Sequence, residues 1–177
     1  MKVEKLSVEH LSIRSEWLNS EKIYSSLNVQ YPNAKEETFG WYERIKSNQT
    51  RIDFVFCEDE APTAMTGLTN IDLGNGLAEF YIMVNPSEQG KGYGRKTTEW
   101  TLNYAFTKYK INKVYLYTND FNELANKLYI KLGFRLEGTL RQHKFRDGKL
   151  IDRHIYGLLK EEWKNCSYHN NQIKLNF

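Results

Sequence analysis

The chain has 177 residues, of which 40% are hydrophobic and 14% aromatic, and a formal net charge of +3. That length and apolar content suit one globular domain with a real core and exclude a disordered chain. So small a charge, with no dense Lys/Arg block, argues against a nucleic-acid partner. The two cysteines, Cys57 and Cys166, stand far apart, which argues against a disulfide framework or a metal site; Cys57 lies in an apolar run and is expected to be a buried free thiol. The first residues, Met-Lys-Val-Glu-Lys, are charged where a signal peptide needs an apolar core. No apolar run approaches the roughly 20 residues of a membrane span. A cytoplasmic location with no membrane partner is therefore expected.

In chain order, Val3 to Val8 is predicted as a strand and Glu9 to Leu18 as a helix, with Leu11, Ile13 and Trp17 apolar. A short helix over Ser20 to Leu27, a loop over Asn28 to Ala34 and a helix over Lys35 to Lys46 follow. This first third is rich in aromatics: Trp17, Tyr24, Tyr31, Trp41 and Tyr42. Two readings of them stay open, ordinary packing of helices on a sheet and a wall for a substrate. Arg51 to Cys57 alternates as a strand, and Thr63 to Leu73 is the next, with Gly67 expected at a bulge or kink. Gly74-Asn-Gly76 closes a hairpin into the strand Ala78 to Val84.

The stretch Val84-Asn-Pro-Ser-Glu-Gln-Gly-Lys-Gly-Tyr-Gly-Arg95 then leads into a helix running to Lys108. Glycines at 90, 92 and 94 let a backbone approach a ligand closely, and the helix N-terminus favours an anion. This is the pattern of a pyrophosphate cradle. Arg95 stands where both the Walker A loop and the dinucleotide fingerprint require glycine, so neither fits. Gln89-Gly-Lys-Gly92-Tyr-Gly94 does fit Gln/Arg-x-x-Gly-x-Gly/Ala, and there it resembles the acetyl-CoA loop of the GCN5-related N-acetyltransferases.

Downstream, Lys113 to Thr118 is predicted as a strand. Asp120 and Glu123 have capping-box spacing, and the helix they open carries Phe121, Leu124, Ala125, Leu128 and Leu132 on one face until Gly133. Phe134 to Phe145 and Leu150 to Leu159 form a hairpin about Asp147-Gly148, and Lys160 to Lys164 make a last helical turn. Residues 1–165 read as a single domain and residues 166–177 as a polar tail. The segment Asn122-Glu-Leu-Ala125-Asn-Lys-Leu128-Tyr129-Ile-Lys131-Leu-Gly133-Phe134 matches N-x-x-A-x-x-L-Y-x-K-x-G-F, the second signature of the same family. The final hairpin resembles the branch containing ribosomal-protein and amino-sugar acetyltransferases.

The resemblance implies an α/β fold with a central, mostly antiparallel, twisted sheet of about seven strands, flanking helices, and a splay after the fourth strand. It implies an acyltransferase using acetyl-CoA as cosubstrate, with direct attack by a small-molecule primary amine and no metal. Gln89, Gly90, Lys91, Gly92, Tyr93, Gly94 and Arg95 would cradle the pyrophosphate. Backbone of Ile82, Met83 and Val84 would face the thioester oxygen, where negative charge develops. Asn122 would bond the CoA arm. Tyr129 would give a proton to the departing thiol, its ordinary pKa being close enough for the transfer. Some relatives carry a base glutamate where this chain has Tyr117, which leaves Glu79 as the candidate, with a solvated edge carboxylate equally open. His143 and His154 read as structural. The aromatic-rich first third favours an amino-sugar or sugar-nucleotide acceptor. A protein N-terminus, a polyamine, or a non-catalytic acyl-CoA-binding module are the alternatives; the oligomeric state, homodimer included, is left open.

Overall fold

The computed structural model describes residues 1–27, 31–146, 148–164 and 174–175. Residues 166–173, 176 and 177 of the expected tail lie outside that description, as does Asn165 at the end of the expected domain. So do Asn28 to Gln30 of the expected loop and Asp147 of the expected turn.

The strands are β1 (Lys2–Lys5), β2 (Ile52–Glu58), β3 (Ala61–Asp72), β4 (Leu77–Val84), β5 (Lys113–Asn119), β6 (Arg135–Arg146), β7 (Lys149–Leu159) and the two-residue β8 (Lys174–Leu175). The helices are α1 (Leu11–Leu18), α2 (Glu21–Tyr24), α3 (Lys35–Ile45), α4 (Tyr93–Thr107), α5 (Glu123–Lys131) and α6 (Lys160–Lys164). One sheet holds all the strands, in the order β6-β7-β5-β4-β3-β2-β1-β8. Its pairs are antiparallel except β4 with β5 and β1 with β8. No described helix is long and apolar enough to cross a membrane.

Alternation along the strands sends side chains to two cores. On one face Phe80, Val114, Leu116 and Leu158 pack under α4, α5 and α6 through Leu102, Tyr129, Leu132 and Trp163. Phe54 and Phe56 meet Trp100 of α4 edge-on, at ring separations of 4.9 and 5.4 Å. On the other face Val55, Cys57, Met65 and Met83 meet Trp17, Leu18 and Ile23 of α1 and α2. Each such fully buried side chain contributes about 1.5–3 kcal/mol. Cys57 is the buried thiol expected from the sequence.

Several expectations move. The first strand ends at Lys5, and Val8 to His10 form a 3-10 turn before α1, because Ser7 turns its N–H to His10 Nδ1 at 3.1 Å. The N-cap of α5 is Asn122 rather than Asp120: the Asn122 side chain accepts from Ala125 N at 3.2 Å, while the Asp120 side chain accepts from its neighbour Phe121 N. Phe121 and Leu124 are exposed, so the buried face of α5 is Asn126, Tyr129 and Leu132. Gly67 marks neither a bulge nor a kink. It sits in regular register between Asp53 of β2 and Tyr81 of β4, and a Cβ there would strike the Tyr81 ring and lie 2.6 Å from Asp53 Oδ1.

The feature that positions the site is a parting of strands. β4 and β5 pair only from Leu77–Glu79 to Lys113–Tyr115. Beyond Glu79, β4 stays on β3 as far as Val84, while β5 follows β7 as far as Asn119. Among the described residues the edge of β4 from Phe80 to Val84 that faces β5 therefore has no strand beside it, and alternate backbone N–H groups there are left for a ligand.

Candidate active site

A cavity of about 700 Å³ opens in that gap. It runs from the glycine loop, past Ile82, Met83 and Val84, to Glu79 and the helices of the first third. At the loop, Gly90 and Gly92 both have φ of 85°, a conformation that side chains rarely adopt, and nothing lies within 4 Å of where a Cβ would stand at either. Gly92 is the residue before α4. Among the described residues no backbone acceptor takes the N–H of Gly90, Gly92, Tyr93 or Gly94. Four donors at a helix N-terminus, with open space before them, make a built anion cradle. Gln89 and Arg95 also line it, with Arg95 ion-paired to the buried Glu99 at 2.8 Å. Lys91 does not line the cavity; its ammonium is held by Glu88 at 2.9 Å.

On the opposite wall, α5 is pinned to the end of β5 by Asn126, which donates to the carbonyls of Asn119 and Asp120 at 3.4 and 3.0 Å and accepts from the Thr118 hydroxyl. This sets Asn122, Leu124, Ala125 and Tyr129 along the cavity. Tyr129 is 5% exposed, with its ring edge-on to Phe80 and Phe134 at 6.4 and 5.6 Å. No described group hydrogen-bonds its hydroxyl, and burial pushes its pKa well above the ordinary phenol value. The close match to a departing thiol, expected from an unperturbed phenol, therefore does not hold. Glu79 sits where the two strands begin to part and accepts from Asn70 Nδ2 at 2.8 Å. It is also near enough to Arg153 to support that guanidinium's charge, against burial that lowers its pKa.

The aromatic wall expected from the first third is not assembled. Trp17 is in the core. Tyr24 and Tyr31 stack on each other at 4.0 Å away from the cavity, with Tyr31 54% exposed. Trp41 alone of that set reaches the cavity, and two guanidinium groups lie over its ring, Arg14 at 4.2 Å and Arg51 at 4.8 Å. Neither His143 nor His154 lines the cavity; Tyr117, between them and the gap, does.

Arg14, Arg51, Tyr81, Arg153 and Arg146 were not singled out from the sequence. A signal for Arg14 was present: Leu11, Arg14, Ser15 and Leu18 have the spacing of a buried helical stripe, and all four are buried. Arg51 and Asp53, two apart on a strand, share one side of the sheet.

An anion cradle at a helix N-terminus, opening onto the bare edge of a parted strand, defines an α/β protein built to hold a long phosphate-bearing cosubstrate. The chain belongs to the Acetyltransferase (GNAT) family, whose family model matches residues 20–134. The spermidine N(1)-acetyltransferase of Escherichia coli (strain K12) is 32% identical over 108 residues, 61% of this chain and 58% of that protein. The putative ribosomal N-acetyltransferase YdaF of Bacillus subtilis (strain 168) is 29% identical over 106 residues, 60% of this chain and 58% of that protein. The chain thus aligns with less than two thirds of the length of these relatives. The structure of spermidine N-acetyltransferase from Vibrio cholerae in complex with CoA and spermine is similar to this one with a TM-score of 0.87 at 25% identity, over 93% of this chain and 98% of that one.

Proposed function

We propose that this chain moves the acetyl group of acetyl-CoA to a primary amine of a small molecule, by direct attack within a ternary complex. The observation that carries this reading is one continuous cavity joining the glycine cradle, the bare edge of β4, Tyr129 and Glu79. Its residues fit the cosubstrate: unpaired N–H groups for a pyrophosphate, and an unpaired strand edge for amide groups further along.

The roles follow from position. The N–H groups of Gly90, Gly92, Tyr93 and Gly94 hold the pyrophosphate, with Gln89 and Arg95 at its rim. Backbone of Ile82, Met83 and Val84 orients the arm and supplies the donor for oxygen charge at the thioester. Asn122 spends its oxygen on the helix cap, which leaves its amide N–H groups for the arm. Tyr129, kept protonated by burial, stabilises the leaving sulfur mainly by donating a hydrogen bond. Glu79 receives the proton that the attacking amine sheds, directly or through water.

For the acceptor, the relatives support a polyamine. Two of the three are named for spermidine and none for an amino sugar. The amino-sugar reading rested on the aromatics of the first third, of which Trp41 alone lines the cavity. Glu79 is the carboxylate that meets a cationic amine on this side of the gap.

The test is thiol release from acetyl-CoA across a panel of primary amines, with the acetylated product identified by mass. Release with amines, spermidine among them, supports the reading; CoA binding with no release over the whole panel leaves a binding module.

A further inference from the structure

Arg14 brings a positive charge to the acceptor side of the cavity, and its surroundings do not balance it. The residue is 8% exposed. Among the described residues its enclosed Nε has no hydrogen-bond partner, and one Nη reaches only the Met65 sulfur, at 4.0 Å. Its plane lies over Trp41. An arginine this deep is ordinarily paired with an acid, and a buried donor without an acceptor needs a reason.

The neighbouring groups do not supply one. Arg51 shares the Trp41 ring, and Asp53 is committed to it, accepting from Arg51 Nε and Nη2 at 2.7 and 2.9 Å and from the Tyr81 hydroxyl. Two guanidinium groups thus meet one indole with one carboxylate between them. The ring face attracts cations but does not neutralise them. Arg153, which also lines the cavity, repeats the feature: among the described residues its enclosed Nε has no partner, and its Cζ lies 4.9 Å from the Tyr117 ring centroid. The CoA pyrophosphate is not the missing anion. Its cradle is at the start of α4, on the face of the sheet opposite to α1.

We propose that Arg14 anchors an anion subsite on the acceptor side of the cavity, and that the acceptor carries a carboxylate or phosphate group besides the amine that is acetylated. A guanidinium held over an indole, with its Cζ 4.2 Å from the ring centroid, keeps N–H donors for such a group. Glu79 then faces the amine and Arg14 the anion, so the acceptor is read at both ends. The proposal rests on the acetyl-transfer reading of the cavity and is the alternative to the polyamine acceptor, because a polyamine has nothing to place against Arg14.

The test uses four amines of one chain length at saturating acetyl-CoA: aminohexanol, hexanediamine, aminohexanoate and aminohexyl phosphate. An acceptor KM about tenfold lower for one anionic amine than for aminohexanol and the diamine is expected, and its identity tells carboxylate from phosphate. In Arg14→Met that preference should shrink to about twofold or less. Equal KM values, a lowest KM for the diamine, or a preference that survives in Arg14→Met would overturn the subsite. A second readout needs no turnover: thermal unfolding of the CoA-saturated protein with inorganic phosphate or aminohexanoate. Stabilisation by either in the wild type, lost in Arg14→Met, supports the subsite even if no amine is acetylated; no stabilisation by either overturns it.

Discussion

The Tyr81 hydroxyl donates a hydrogen bond to Asp53 across the bare backbone of Gly67. The three residues form one row across β2, β3 and β4, and Arg51 locks the row at its Asp53 end. The missing side chain at Gly67 is what lets the Tyr81 ring lie flat enough to close the acceptor wall. Gly67→Ala should therefore destabilise the fold by about 1–3 kcal/mol, the range for overpacking a closed site. Denaturant unfolding checks this, and the penalty should shrink but not vanish when Tyr81 is also replaced by Ser, because the close approach to Asp53 Oδ1 remains.

Gly92→Asp attacks the cradle twice. It places a side chain on a backbone with φ of 85° and a negative charge where an anion is to bind. CoA binding measured by calorimetry should be lost, while the far-ultraviolet circular dichroism stays that of the wild type. Unchanged CoA affinity would move the pyrophosphate elsewhere.

Tyr129→Phe keeps the ring contacts with Phe80 and Phe134 and removes the hydrogen-bond donor. The expected result is a fall in kcat of about 10²-fold with CoA affinity little changed. The raised pKa also has a stability consequence. A phenol whose folded pKa lies above its unfolded value of about 10 stabilises fully below pH 10 and loses that contribution as pH rises further. Unfolding free energy should be level through pH 7–9 and then fall by up to about 1.4 kcal/mol per pH unit for this group. The fall should be shallower in Tyr129→Phe.

Arg146 reaches from the end of β6 to the carbonyls that close α2, donating to Ser25 O and Leu27 O at 2.9 and 3.0 Å and to Tyr24 O. Asn119 at the end of β5 donates to Ser26 O at 3.1 Å. Together they strap α2 over the mouth of the gap, where Ile23, Ser26 and Leu27 line the cavity. Arg146→Ala should raise the acceptor KM by about tenfold and spare the acetyl-CoA KM, because charge-assisted bonds to three carbonyls are lost on the acceptor side alone. A rise in both would make the strap a general support of the fold.

What the sequence disclosed follows a physical division. Gly90 and Gly92 were legible because backbone chemistry is local: only glycine takes those angles easily, and a strand before and a helix after are visible as periodicity. The α5 motif was legible through its resemblance to a family signature, which pointed to Tyr129, a residue that does line the cavity. The cap was misplaced by two residues because Asp120 and Asn122 are equally good caps by type, and only the turn leading out of β5 chooses between them. The acceptor side was hardest. Trp17 goes into the core with α1 while Tyr31, in the loop before α3, stays at the surface, and aromatic character alone does not tell either placement from a cavity wall. Arg14 was not singled out, because a charged residue in the stripe of Leu11 and Leu18 shows as buried only once α1 is seated on the sheet.

Direct attack in a ternary complex is tested most directly by following thiol release after mixing the protein with acetyl-CoA, first without an amine and then with one. No release in step with the amount of protein is expected before the amine is added, and steady release should begin on its addition, sharply slowed in Tyr129→Phe. A burst equal to the protein concentration in the absence of any amine would mean a covalent acetyl-protein, and no release with any amine while CoA is bound would mean that the cavity holds its ligand without turning it over.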